Sequence, residues 1–322
     1  MKNLSFYNSL EGFERINQLG ASKKPFLFII SYDKNKIYAQ ELKKINSNIL
    51  YAIKQKSNTP KKKTNLKKYP IDFSIYKESF FNVIEEIKKG NTYLLNLTFP
   101  SKIESPYSLE EIFYKAQAPF KLLIKDSFVC FSPEQFIEIR NNTIATYPMK
   151  GTIDASLENA KKRILENKKE LAEHTMIVDL MRNDLNIVAN ATRVEKFRYI
   201  QKIHAGEKEL LQVSSKITAQ LDSSWHQKIG DILNALTPAG SITGTPKRKT
   251  IEIINKVEPY KRDFYTGIFG IYDGANLDSA VMIRAISKKK SNLFYHSGGG
   301  ITLDSSLNEE YQELIDKIYL PF

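Results

Sequence analysis

The sequence predicts a globular fold that mixes β-strands with α-helices, and three observations carry that expectation. Segments such as FLFII, QFIEIR and TIATYPM have strand lengths, apolar or alternating character and turn residues beside them. SIYKESFFNVIEEIKKG repeats apolar side chains at helical spacing. Finally, 322 residues with 42% hydrophobic content suffice for one large domain, or two smaller ones, with a well-buried core.

Taken in order, FLFII and KIYAQ read as short strands, with Asp33-Lys34-Asn35 as the turn between them. The stretch from Lys54 to Lys68, KQKSNTPKKKTNLKK, mixes lysine with Pro, Ser, Asn and Thr and reads as a solvated loop. A helix follows, with Tyr76, Phe80, Val83, Ile84 and Ile87 on one face and Gly90 as its stop. NTYLLNLTFPSKI is then a strand. Ser108 is the N-cap of a second helix, and Glu111 completes a capping box.

The stretch from Phe131 to Thr152, FSPEQFIEIRNNTIATYPMKGT, organises the rest. Two alternating segments flank the turn residues Asn141 and Asn142, so it reads as a hairpin. Glu134 precedes Lys150 by sixteen residues, and a hairpin returns one towards the other. An acid and an amine so placed could serve one reaction centre, the acid moving protons and the amine attacking carbon. Taken alone, such a pair is more often a weak surface salt bridge.

LENAKKRILENKKELAEHTMIVDLMRNDL is the longest helical pattern. It projects Glu170 and Glu173 from one face, where they repel unless a cation lies between them. In LTPAGSITGTPKRKTIEIINKV a small-residue loop enters a helix, with Thr245 as N-cap and Pro246 at the first helical position. Such a start can bind an anion, but the spacing is not that of a Walker A loop. YTGIFGIYDG and DSAVMIRAIS read as strands, the second carrying Arg284, a residue suited to gripping a carboxylate. Gly298 to Gly300 form either a tight turn or a close approach to a ligand. The last helix begins near Ser306 with Glu309 completing a capping box, and Glu310, Glu313 and Lys317 share one face.

Composition narrows the function classes. The formal charge is +12, yet no aromatic-interleaved basic patch or binding-module motif accompanies it, which disfavours a nucleic-acid role. The apolar run Phe26 to Ile30 is too short to span a bilayer, and MKNLSFYNSLEGF lacks the apolar centre of a signal peptide. A single cysteine, Cys130, forms no internal disulfide and no CxxC metal site. These features suggest a cytoplasmic protein.

SPEQF, PMKGT, ELAEHTMIVDLMRNDL, PAGSITGTPKRKTIEII, YTGIFG, MIRAI and SGGGITLDSSLNEEYQELIDK stand in the order and approximate spacing of the chorismate-utilising enzymes. The sequence resembles that family densely from about Phe131 onwards, and most of all its aminodeoxychorismate synthase component I branch. The resemblance implies an α+β fold, anthranilate synthase component I-like, with two large, mainly antiparallel sheets packed together and helices outside. It implies one chorismate-binding domain over residues 1–322, with 1–75 a divergent N-terminal part and 76–322 the core.

It also implies the chemistry. Chorismate carries two carboxylates. Glu170, Glu173, Glu310 and Glu313 would surround a Mg²⁺ ion, some of them through water, with a substrate carboxylate completing the shell. Tyr265, Arg284, Gly299, Gly300 and Lys317 would hold the substrate carboxylates, and Gly240, Ser241 and Thr243 would line the ring. Lys150 would attack ring carbon C2 while Glu134, as general acid, expels the C4 hydroxyl. Ammonia from a separate glutamine amidotransferase subunit would add at C4, giving 4-amino-4-deoxychorismate for p-aminobenzoate and folate biosynthesis. A nucleophilic lysine must be neutral, and lowering its pKa from about 10.4 to roughly 7–8 takes about 4 kcal/mol of environmental bias.

The alternative, anthranilate synthase component I or another chorismate enzyme, is opposed by Lys150, since anthranilate synthases resemble PIAGT at this motif. Isochorismate and salicylate synthases resemble KVVLAR where this chain has TYLLNLT, with no lysine. The family's HLVST segment corresponds to QVSSK, which puts Gln212 where histidine is usual. A silent binding subunit would not need the full set of acid, lysine and glutamates.

Overall fold

The strand Phe26–Ile30 shows how the layers arise. All five side chains are buried, and alternate ones face opposite ways: Phe26, Phe28 and Ile30 join one apolar cluster, Leu27 and Ile29 another. A strand apolar on both faces must be covered on both. In this computed structural model, which describes residues 4–55, 66–205 and 208–322, helices Ser9–Ala21, Lys168–Val188 and Ile229–Leu236 cover one face. A second sheet covers the other through Phe120, Leu122, Phe128 and Cys130. The outer face of that sheet lies beneath helices Phe73–Lys88, Leu109–Lys115, Lys247–Val257 and Leu307–Asp316.

Among the described residues the first sheet has nine strands and the second eight. The first runs Met149–Asp154, Lys208–Gln220, Thr143–Thr146, Gln135–Arg140, Leu277–Val281, Ile268–Tyr272, Phe26–Ile30, Ile37–Glu41, with Asn190–Ala205 also paired to Lys208–Gln220. The second runs Gly244–Thr245, Leu94–Glu104, Asn292–Ile301, Ala285–Lys289, Phe128–Ser132, Phe120–Ile124, Ile49–Ile53, with Lys67–Tyr69 also paired to Leu94–Glu104. This is the α+β arrangement of two packed antiparallel sheets with outer helices.

The expected hairpin forms. Asn141 and Asn142 adopt φ of 48° and 59°, the left-handed pair that a two-residue turn needs, and Arg140 pairs with Thr143. Its second arm is then interrupted at Pro148, which has no N–H to donate, and resumes as Met149–Asp154 along the same neighbour, Lys208–Gln220. A register shift between Lys150 and Thr152, with Gly151 at φ 78°, forms a bulge beside the lysine.

Several expectations need correction. The longest helical pattern is two helices, Ala160–Glu166 and Lys168–Val188. Asn167 is extended between them and caps the second by accepting the Glu170 N–H at 3.1 Å. DSAVMIRAIS is not one strand: Leu277–Val281 lies in the first sheet and Ala285–Lys289 in the second, with Arg284 at φ 50° in the crossing. Pro246, not Thr245, holds the cap position before Lys247–Val257, because Thr245 is drawn into pairing with Leu94. Ser306 makes no side-chain cap, whereas the Ser108–Glu111 capping box is complete. The centre of the lysine-rich stretch, 56–65, lies outside the described residues, and its end joins a strand as Lys67–Tyr69.

Candidate active site

Lys150 Nζ lies 3.5 Å from Glu173 Oε2. A Cβ added to Gly300 would stand 3.3 Å from the same nitrogen. A Cβ on Gly299, whose side of the strand is opposite, would stand 3.2 Å from Glu310 Oε2 and 3.3 Å from Glu313 Oε1. On Gly151 it would stand 3.1 Å from Glu170 Oε2. The four carboxylates therefore reach the Lys150 bulge and the glycine strand from two helices, Lys168–Val188 and Leu307–Asp316. The three glycines are not a turn. They continue a strand of unbroken register, pairing Gly298 with Thr98, Gly299 with Leu97 and Gly300 with Asn96.

Glu134 sits just before the strand Gln135–Arg140, and its Oε1 accepts a very short hydrogen bond from Ser241 Oγ. Burial pushes its carboxyl above the ordinary value, opposed by the Ser241 bond and by the charges of Lys150, Arg284 and Lys317. The loop bearing Ser241 is fixed from below. Asn96 Nδ2 donates to the Ser241 carbonyl at 2.7 Å, and Arg262 donates to the carbonyls of Ile242 and Asn96 at 2.9 and 2.7 Å. Arg262 is itself held by Glu258 at 2.6 Å in a fully buried pair. Gly240 packs against Leu180 and Asp184, and Thr243 is wholly buried with its hydroxyl donating to the Ala239 carbonyl at 2.9 Å. Thr243 thus shapes the loop through its backbone contact.

Two cations close the site. Lys317 Nζ contacts Glu313 Oε1 at 2.5 Å and donates to the Gly298 carbonyl at 2.8 Å. Burial pulls its ammonium below the ordinary value; Glu313 opposes this, and Arg284 and Lys150 add to it. Among the described residues Arg284 has no carboxylate within salt-bridge distance, and its buried Nε has no hydrogen-bond partner. Its guanidinium stands 5.5 Å from the Tyr319 ring centre. Tyr265 is buried, stacks on His296 at 4.9 Å, and has its hydroxyl pushed up to about 12 by burial.

A family model for chorismate binding enzymes matches residues 13–321. The chain belongs to the chorismate-binding enzyme family. It is 49% identical to an uncharacterized PabA-like protein of Haemophilus influenzae, over 96% of this chain and 95% of that one. It is 34% identical to aminodeoxychorismate synthase component 1 of Escherichia coli, over 76% of this chain and 56% of that one. Among solved structures, the menaquinone-specific isochorismate synthase MenF of Escherichia coli superposes with a TM-score of 0.74 at 14% identity, over 98% of this chain and 82% of that one. Anthranilate synthase component I of Streptococcus pneumoniae gives 0.68 at 23%, over 82% and 60%. At these identities the two structures establish the shared fold.

The acidic residues suit a Mg²⁺ ion of the kind this family resemblance implies. Gly299 leaves open the space between Glu310 and Glu313 that a Cβ would fill, and an all-oxygen donor set is what Mg²⁺ prefers. The set is not a closed cage, since among the described residues no three His, Cys, Asp or Glu side chains are grouped to hold an ion alone. Mg²⁺ usually keeps several waters and takes one or two protein carboxylates, so a pair plus a substrate carboxylate is a sufficient shell.

His174, beside Glu173 in ELAEHTMIVDLMRNDL, carries no local sign of its role. It is wholly buried, with Nε2 2.7 Å from Ser215 Oγ. Burial holds its imidazole down to about 4, with Arg198 and Lys150 adding to the fall. Asn96, Glu258 and Arg262 were also missed, because nothing local marks a residue that works by holding another loop's carbonyl. Gln212 pairs with Thr152 and Gln201, whereas its neighbour Val213 is the partner of Lys150, so alternation turns Gln212 to the face opposite Val213.

Proposed function

We propose that this chain is component I of an aminodeoxychorismate synthase, a Mg²⁺-dependent enzyme that converts chorismate and ammonia to 4-amino-4-deoxychorismate and water. The observation that carries the reading is the placement of the Lys150 amine against the acidic helix and the glycine strand, beside Glu173 and Gly300. The relatives named aminodeoxychorismate synthase component 1 support it, and so does a half-buried arginine, Arg284, left without an acidic partner among the described residues where a substrate carboxylate would complete it.

Lys150 attacks C2, the ring double bonds shift, and the C4 hydroxyl departs as water with the proton of Glu134. Ammonia then bonds at C4, the double bonds shift back, the lysine amine leaves C2, and the Glu134 carboxylate recovers a proton. Arg284 and Lys317 hold carboxylates, with Tyr265 and the Gly299–Gly300 backbone beside them. Ser241, in donating to Glu134, fixes the direction of that acid. Bound Mg²⁺ would supply charge neutralisation for a substrate carboxylate, held by some of Glu170, Glu173, Glu310 and Glu313.

Ammonia comes in this reading from a separate glutamine amidotransferase subunit. The cysteine of this chain, Cys130, is wholly buried in a strand, and burial pushes its thiol far up, which does not suit a glutaminase nucleophile. Among the described residues no helix is long and apolar enough to cross a membrane, and the reading places the protein in the cytoplasm. Incubation with chorismate, Mg²⁺ and ammonium salt tests the function: product of the mass of aminodeoxychorismate supports it. Fluorescent anthranilate, or isochorismate, would replace it by another activity of the family.

A further inference from the structure

We infer that His174 and Ser215 are positioning residues that set where the Lys150 amine stands relative to the acidic helix. The contacts form an unbroken chain. His174 follows Glu173 on that helix, is fully buried, and lies 2.7 Å from Ser215 Oγ through Nε2. Ser215 Oγ also accepts the Arg198 backbone N–H at 3.0 Å. The Ser215 backbone N–H donates to the Pro148 carbonyl at 3.0 Å, two residues before Lys150 and at the interruption in its strand. Ser215 thus grips the lysine's strand with its backbone and the acidic helix with its side chain.

The grip matters because little else fixes this spot. Ladder pairing stops at Pro148 and is shifted again at Gly151, so Lys150 lies on a short register between two irregularities. The nearby amine is 3.5 Å from Glu173, the residue next to His174. Among the described residues His174 Nδ1 has no hydrogen-bond partner, so removal of the Ser215 hydroxyl leaves the buried imidazole without a hydrogen bond there and takes away one of the ties between helix and strand, the Lys150–Glu173 pair being another. A displacement of about 1 Å at a reacting group can cost roughly 100-fold in rate.

The kinetic half of the test rests on the amination reading; the labelling half does not. Four variants of the full chain serve: Ser215→Ala and His174→Leu break the contact, and Ser215→Thr and His174→Gln keep a polar atom there. With chorismate, Mg²⁺ and ammonium, the breaking pair should lower kcat about 10- to 100-fold with KM for chorismate changed less than about 3-fold, and the conserving pair should stay within about 3-fold of the native chain. Without chorismate, the rate at which trinitrobenzenesulfonate labels Lys150, read by peptide mass, should change several-fold in the breaking pair only. Native kcat and labelling in Ser215→Ala, or a KM rise that accounts for its whole loss, overturns the inference. If both breaking variants fail to fold, a tenfold fall in kcat in both folded conserving variants overturns it, and native values there support it. Should the native chain form no aminodeoxychorismate, the amination reading fails and the labelling comparison still decides the positioning role.

Discussion

Lys150 Nζ and Glu173 Oε2 are 3.5 Å apart, and this pair ties the strand that carries the proposed nucleophile to the helix that carries two proposed metal ligands. Lys150 keeps 22% of its side chain exposed, so truncating it removes chemistry without opening a core cavity. Lys150→Ala should lower aminodeoxychorismate formation by about 10²–10⁴-fold while the thermal melt stays close to native. Product mass under single-turnover conditions checks this. Amination at the native rate would take the lysine out of the mechanism.

Gly299 tests the metal proposal without touching a carboxylate. A methyl there would meet Glu310 and Glu313 at 3.2 and 3.3 Å, tighter than ordinary contact, and must push at least one of them aside. Gly299→Ala should weaken Mg²⁺ binding by about 10- to 100-fold, the range found when the surroundings of metal ligands are disturbed. Calorimetric titration of the chain with Mg²⁺ reads this directly. Unchanged Mg²⁺ affinity in a folded variant places the ion elsewhere.

Glu134 gives a prediction with a definite sign. Burial raises its carboxyl in the folded chain above the unfolded value, despite Ser241 and three nearby cations. Between those two values the folded state binds more protons, so this group's contribution to stability falls as pH rises through the interval. Glu134→Gln removes that loss. Its melting temperature relative to the native chain should therefore be higher at about pH 8 than at about pH 4, while its kcat falls about 10²–10⁴-fold. A melting difference that shrinks as pH rises contradicts the raised value.

What could be read from the chain, and what could not, follows from how local each signal is. The Asn141-Asn142 turn, the Ser108–Glu111 box and the Tyr76 face depend on neighbours in sequence, and all three form. The strand crossing at Arg284 depends on which sheet each half joins, a choice made by pairing with Gln135–Arg140 on one side and Phe128–Ser132 on the other. Nothing within MIRAI encodes that. The long pattern 157–185 kept apolar spacing across Asn167, so periodicity alone could not see the break that the Asn167 cap makes. Glu170 and Glu173 were legible as a pair on one helix face. That they approach Gly151 and Lys150 was not, because a bulge between strands decides it.

The Glu258–Arg262 pair carries a stability prediction separate from catalysis. Both side chains are essentially buried, at 1% and 2% exposure, and Glu258 Oε1 also accepts from Thr98 N at 2.9 Å and Thr98 Oγ1 at 2.8 Å. Truncation of one member strands the other charge in a dry interior. Glu258→Ala should cost about 3–5 kcal/mol, read from urea denaturation. Because Arg262 also holds the carbonyls of Ile242 and Asn96, the same variant should loosen the Ser241 loop and lower activity even where it remains folded.

Arg284 supplies the last and most direct test of the ligand class. Its side chain is half-buried beside Tyr265, Tyr295 and Tyr319, and among the described residues it has no carboxylate in reach and its Nε is unpaired. A guanidinium in that position gains most from a planar anion that takes two parallel N–H bonds, which a lysine ammonium cannot offer. Arg284→Lys should therefore raise KM for chorismate by about 10-fold or more, since a hydrogen bond to a charged group is worth about 1.5–3 kcal/mol. Arg284→Lys should bind a monocarboxylate analogue lacking the contacted group as weakly as the native chain does. Equal affinity of native and variant chains for chorismate would mean that the arginine serves the fold and that the substrate's carboxylates lie elsewhere.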